Sequence, residues 1–140
     1  MARIGRNLRN RVAERSRYRC DYCHSREDLM GDRLQIDHII PKAEGGEDSE
    51  ENLCLACSSC NRFKSAKTHA RDPKSKTLVR LFNPNLQEWA EHFIWDDRGV
   101  KIVGLTPCGR ATVLALQMNN PWILRVRAFW VRAGEHPRVE

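Results

Sequence analysis

Residues 34–68 read LQIDHIIPKAEGGEDSEENLCLACSSCNRFKSAKT, and the order of residue types along this stretch decides the fold. Leu34 and Ile36, two apart, predict a short strand ending at Asp37 and His38. Pro41 stops it, because proline has no N–H to offer a ladder. Glu44, Glu47, Asp48, Glu50 and Glu51 then set five acids within eight positions around Gly45 and Gly46, the composition of a solvated loop. Residues 52–56 predict another extended piece, and residues 58–68 a short exposed helix rich in Lys and Arg. Working outward, residues 18–23 predict a further short strand leading into a turn.

The cysteines give this pattern a centre. Cys20-x-x-Cys23 and Cys57-x-x-Cys60 make two knuckles whose four thiolates close a tetrahedral zinc site. Cys54 offers a rival pair with Cys57, but Leu55 and Ala56 are poor turn formers whereas Ser58 and Ser59 suit a knuckle. Leu53 and Leu55 alternate as in a strand, which leaves Cys54 as a small buried filler. The alternatives are four buried thiols without metal, and disulfides, which reducing compartments disfavour. Cys108 stands alone near a helix start, where packing accounts for it.

Asp-His at a strand end, Ile-Ile-Pro after it, a Gly-containing acidic loop, Asn-Leu, and Cys-x-x-Cys-Asn with Lys64 three residues on occur together. This set resembles the HNH endonucleases of the His-Me finger, or beta-beta-alpha metal, class, in the branch that brackets its active site with zinc knuckles. The resemblance covers about residues 18–68. It implies His38 as general base, Asp37 and Asn61 as ligands of a catalytic divalent cation, and Asn52 as the residue orienting the His38 loop. Many family members carry a final His where this chain has Asn61, so the form is HNN. Two oxygen ligands suit Mg2+ or Mn2+ better than an imidazole-seeking ion. An imidazole that titrates near ~6.5 is neutral often enough to take a proton from water.

The implied activity is metal-dependent hydrolysis of phosphodiester bonds in double-stranded DNA, with zinc purely structural. The competing expectations are a non-cleaving zinc-containing nucleic-acid-binding module and an RNA-directed nuclease. Charge agrees with a polyanionic partner: the net charge is +6, concentrated in residues 1–20 and 61–80. Arg62, Lys64 and Lys67 are the expected phosphate contacts.

The whole chain has 140 residues, 41% hydrophobic and 30% charged, enough for one small core with appendages. The expected fold is α+β, with a zinc-bound nuclease core at 20–68, a basic helix at 1–19 and a basic connector at 69–80. Residues 81–140 are expected to pack on that core. Phe93-Ile94-Trp95 and residues 100–103 flank Asp96-Asp97-Arg98-Gly99 and predict a hairpin. Thr106-Pro107 and Asn120-Pro121 each read as an N-cap followed by proline at the first helical position. They predict helices to about Met118 and Val131, the second burying Ile123, Val126, Phe129 and Trp130. Residues 81–120 also resemble a tail that accompanies some bacterial HNH proteins, which implies no separate activity. No apolar run approaches the ~18 residues of a membrane span, so a soluble, cytoplasmic protein is expected.

Overall fold

The computed structural model describes residues 4–138. Arg3 of the basic block and the extreme ends of the 1–19 and 81–140 segments lie outside the described residues. The fold is α+β, with short antiparallel strand pairs, and it divides into two compact units. One runs to Thr68 and takes in Asn83–Gln87; the other takes His69–Phe82 and the chain from Glu88 onward. No helix among the described residues is long and apolar enough to cross a membrane.

The first unit begins with α1 (Arg6–Arg15), whose narrow apolar stripe buries only Val12. Arginine supplies the rest of its attachment. Arg9 donates to the Leu34 carbonyl at 2.7 Å, Arg11 to the Glu50 carboxylate at 2.8 Å, and Arg15 to the carbonyls of Glu50 and Leu53. A cationic helix is thus tied to the unit by main-chain oxygens and one carboxylate. After a one-turn helix α2 (Glu27–Met30), β1 (Gln35–His38) pairs antiparallel with β2 (Leu53–Ala56), placing Asp37 opposite Cys54 and His38 opposite Leu53. All four residues of β2 are buried. Directly behind it comes α3 (Ser58–Lys64).

Two local expectations need correction in this unit. Residues 18–23 are no strand: a single bridge joins Arg19 to Arg26, because Arg17 and Tyr18 adopt φ of 56° and 55° and turn the chain into the first knuckle. The helix after the second knuckle stops at Lys64 rather than Thr68. Ser65 takes φ 52° and ψ −130°, a conformation a non-glycine residue cannot continue as a helix.

In the second unit, the expected basic connector at 69–80 is a hairpin of β3 (His69–Arg71) and β4 (Leu78–Arg80). Asp72 makes its turn: the carboxylate accepts from the N–H groups of Lys74 and Ser75 and from the Ser75 hydroxyl, and Pro73 sits inside that turn. The short helix α4 (Trp89–His92) leads into β5 (Phe93–Trp95), which pairs with β6 (Ile102–Gly104) as the sequence indicates. Thr106 and Asn120 cap α5 (Pro107–Ala115) and α6 (Pro121–Arg132), accepting from Gly109 N–H and Ile123 N–H at 3.0 Å each. The buried face of α6 differs from expectation in part: Trp130 is buried as expected, but Val126 and Phe129 are 38% and 55% exposed and Arg127 is buried in their stead. Arg127 earns its interior place by donating to the carbonyls of Val100 and Met118 and to Asn119, with its guanidinium 5.2 Å from the Trp95 ring centre.

Candidate active site

The four knuckle cysteines converge. Their sulfurs lie within 4.8 Å of one another and all four residues are buried. Zn–S bonds of about 2.3 Å put the sulfurs of a tetrahedral site about 3.8 Å apart, and Cys23 Sγ stands 3.7 Å from Cys57 Sγ. Each knuckle turns its main chain toward its own first sulfur: Cys23 N–H donates to Cys20 Sγ and Cys60 N–H to Cys57 Sγ. Burial pushes the Cys20 thiol well up, and the hydrogen bond with Cys20 leads the causes that push Cys60 up. Thiolates so enclosed require a cation, so the set is compatible with structural zinc. Cys54 stays outside it, buried against Tyr22 and Asp37.

The cluster fixes a second layer. The first knuckle loop is pinned to β2 by Asp21, whose N–H donates to the Leu55 carbonyl and whose carboxylate accepts from Leu55 N–H. Tyr22, carried on that loop, is fully buried and donates its hydroxyl to Asp37 Oδ2 at 2.8 Å. Lys64, at the end of α3, closes the network from the other side. Its ammonium lies 3.3 Å and 3.2 Å from the two Asp37 oxygens and donates to the His38 carbonyl at 3.0 Å. A lysine expected on an exposed helix face is therefore 1% exposed and spent on an internal ion pair.

Successive strand residues face opposite ways, so His38 leaves this layer and meets the acidic loop. Its Nε2 lies 2.6 Å from Asp48 Oδ1. Asn52 ties that loop to the strand end: its side-chain oxygen accepts from Ile40 N–H at 2.9 Å, and its amide donates to the carbonyls of Ile40 and Glu47. Asn61, on α3, donates to Gln35 Oε1 at 2.6 Å, so its side-chain oxygen rather than its amide nitrogen is the atom that could ligate a cation. Asp37, His38 and Asn61 line one open cleft of about 310 Å³ together with Lys42, Ser65 and Ala66.

Asp37 and Asn61 both line the cleft, and a carboxylate with an amide oxygen is a donor set that fits a hard divalent cation. The carboxylate is shared with Lys64 and Tyr22. Of the other expected phosphate contacts, Arg62 is exposed and lies 4.8 Å over the Phe63 ring, and Lys67 is exposed and donates to the Phe63 carbonyl at 2.8 Å. Sequence reasoning missed Asp48, Gln35 and Tyr22. The acids of a charged loop look alike, and a tyrosine inside a knuckle carries no sign of the aspartate it will meet.

No curated protein and no solved structure matches the chain. One family model does, over residues 20–67, a span that holds both knuckles, Asp37, His38, Asn52 and Asn61. That segment, about a third of the chain, matches the family of HNH endonucleases.

Proposed function

We propose that the chain is a metal-dependent DNA endonuclease that hydrolyses phosphodiester bonds in duplex DNA, with zinc structural. The HNH family is one of nucleases, and the observation that carries the finer reading is the shared cleft: a histidine beside two oxygen donors, on a β1–β2–α3 frame anchored by the cysteine cluster. Asp37 and Asn61 would hold Mg2+ or Mn2+, which when bound supplies positive charge to the scissile phosphate and the leaving oxygen.

The rest falls to the chain's own residues. His38 takes a proton from water while the water oxygen bonds to phosphorus, and the 3' oxygen leaves with the electron pair of the broken P–O bond. Asn52 keeps the turn after His38 from opening. Asp37 is kept in register by Tyr22 and Lys64. Arg62 and Lys67, both exposed, are the proposed phosphate contacts; Lys64 contributes from within, through Asp37.

One observation favours a second reading. Asp37 already carries the Lys64 ammonium, as a non-cleaving zinc-containing nucleic-acid-binding module would allow. Incubating the zinc-loaded full chain with supercoiled plasmid and, side by side, with structured RNA in Mg2+ or Mn2+ separates the readings. Metal-dependent relaxation or linearisation of the plasmid is expected. Salt-sensitive binding without turnover in either metal supports the binding module, and cutting confined to RNA redirects the substrate.

A further inference from the structure

The acidic loop is a built device rather than a solubilising run. Its two ends are brought together by one side chain, since Asn52 bonds both main-chain groups of Ile40 and the Glu47 carbonyl. Gly46 makes that closure sterically feasible: a Cβ there would lie 1.7 Å from the Ile40 carbonyl oxygen and 2.9 Å from the Asn52 amide nitrogen. Gly46 N–H also donates to the Pro41 carbonyl at 3.0 Å. The residue delivered by this closed backbone is Asp48, directly after Glu47. One Asp48 oxygen meets His38 Nε2 at 2.6 Å, and the other accepts from the Lys42 ammonium at 3.1 Å. Another acid of the same run goes elsewhere, Glu50 taking Arg11.

We infer that Asp48 is a positioning residue for His38: it accepts the Nε2 proton, so the neutral ring is held as the Nε2–H tautomer with Nδ1 left as the proton acceptor. The inference deepens the nuclease reading and rests on it for the role of His38 as base. Contact with His38 and then with Lys42 holds the Asp48 carboxyl below the usual carboxylate range, so it is ionised and can only accept. When water gives its proton to Nδ1, the ring becomes an imidazolium whose Nε2–H still faces a carboxylate. Charge formed at the base is thereby met at once by charge already in place. Glu47 and Gly46 act one step further out, through the backbone that presents Asp48.

The test is spectroscopic first. Long-range proton–nitrogen correlation spectra of the zinc-loaded full chain, labelled at histidine nitrogen and taken where His38 is neutral, report the tautomer; His38→Ala identifies the signals. The expected spectrum shows a protonated Nε2 and an unprotonated Nδ1, and Asp48→Asn moves it toward a mixture of tautomers. In plasmid cleavage, Asp48→Asn lowers kcat by at least about 10-fold with KM within about twofold, the signature of an interaction realised in the transition state. Asp48→Glu recovers part of the loss. A protonated Nδ1 in the wild-type chain overturns the inference, as does an Asp48→Asn chain whose tautomer and kcat are unchanged. If cleavage requires His38 but ignores Asp48, only this inference falls; if His38→Ala cuts as well as wild type, the nuclease reading falls with it.

Discussion

The two units solve the same problem with different materials. In the unit that holds the HNH match, the interior is built of sulfur and charge: five buried cysteines, the buried Asp37–Lys64 pair and Tyr22, with Val12, Leu53 and Leu55 among its hydrocarbon. In the other, Phe82, Phe93, Ile102, Leu116 and Trp130 make an apolar core in which Phe82 and Phe93 meet edge to face, their centres 5.1 Å apart. A unit of some seventy residues has little apolar surface to bury. The first has instead a four-cysteine cluster compatible with zinc and a buried ion pair, which lets polar groups stand in its interior. Its stability should therefore respond to metal and to single charges, whereas that of the second should respond to lost hydrocarbon.

Chelation gives the largest break in that symmetry. All four tryptophans lie in the second unit and both tyrosines in the first, so the two report separately. Stripping zinc, or Cys60→Ser, is expected to unfold the first unit outright, because structural zinc binding is itself folding free energy. Tyrosine signals and cysteine-ligand absorption should be lost while tryptophan emission stays native.

Next come single side chains. Lys64→Met leaves Asp37 buried and uncompensated and should cost the first unit about 3–5 kcal/mol, read as a lower denaturation midpoint by tyrosine fluorescence. Replacing both partners, as in Asp37→Leu with Lys64→Met, should cost less than Lys64→Met alone. In the second unit Phe93→Ala should cost about 3–5 kcal/mol, seen by tryptophan emission and independent of zinc.

These contrasts also show which features the sequence makes legible. Knuckles, caps and the strand that ends at His38 rest on spacings of a few residues, and such signals survive into the structure: Thr106 and Asn120 cap where expected, β1 ends at His38, and Cys20, Cys23, Cys57 and Cys60 converge. What periodicity measures is transfer free energy, and it fails where pairing reverses the sign. Lys64 is buried because Asp37 lies 27 positions earlier in the chain, and Arg127 because two carbonyls and a ring await it. On α6 that exchange pushes Val126 and Phe129 out to solvent. The arginines of α1 likewise read as a nucleic-acid face, yet Arg9, Arg11 and Arg15 are engaged on the core. Asp48 is one acid among five until Gly46 and Asn52 fold it onto His38.

Acid sharpens the comparison from the second unit's side. The Arg110 guanidinium, with the Ser75 hydroxyl and nearby N–H groups, holds the Asp72 carboxyl well below the usual carboxylate range despite the opposing effect of burial. A lowered folded value means the contribution is present above the unfolded carboxylate range, near ~3.9, and is lost as pH falls toward the folded value. Tryptophan-monitored stability should therefore decline below about pH 4, and Asp72→Asn should flatten that decline.

The smallest effect has the opposite sign. Ser65 holds φ at 52°, where glycine carries no Cβ penalty, so Ser65→Gly should stabilise the first unit by about 1 kcal/mol. A loss instead would mean that the serine side chain holds the end of α3.

The most direct test of function compares wild-type and His38→Ala chains, matched for bound zinc, in plasmid cleavage with Mg2+ or Mn2+. The expected result is metal-dependent cutting by the wild type and a rate at least about 100-fold lower for the variant. Equal cutting by the two chains, or no cutting by the wild type in either metal, would contradict a nuclease site centred on His38.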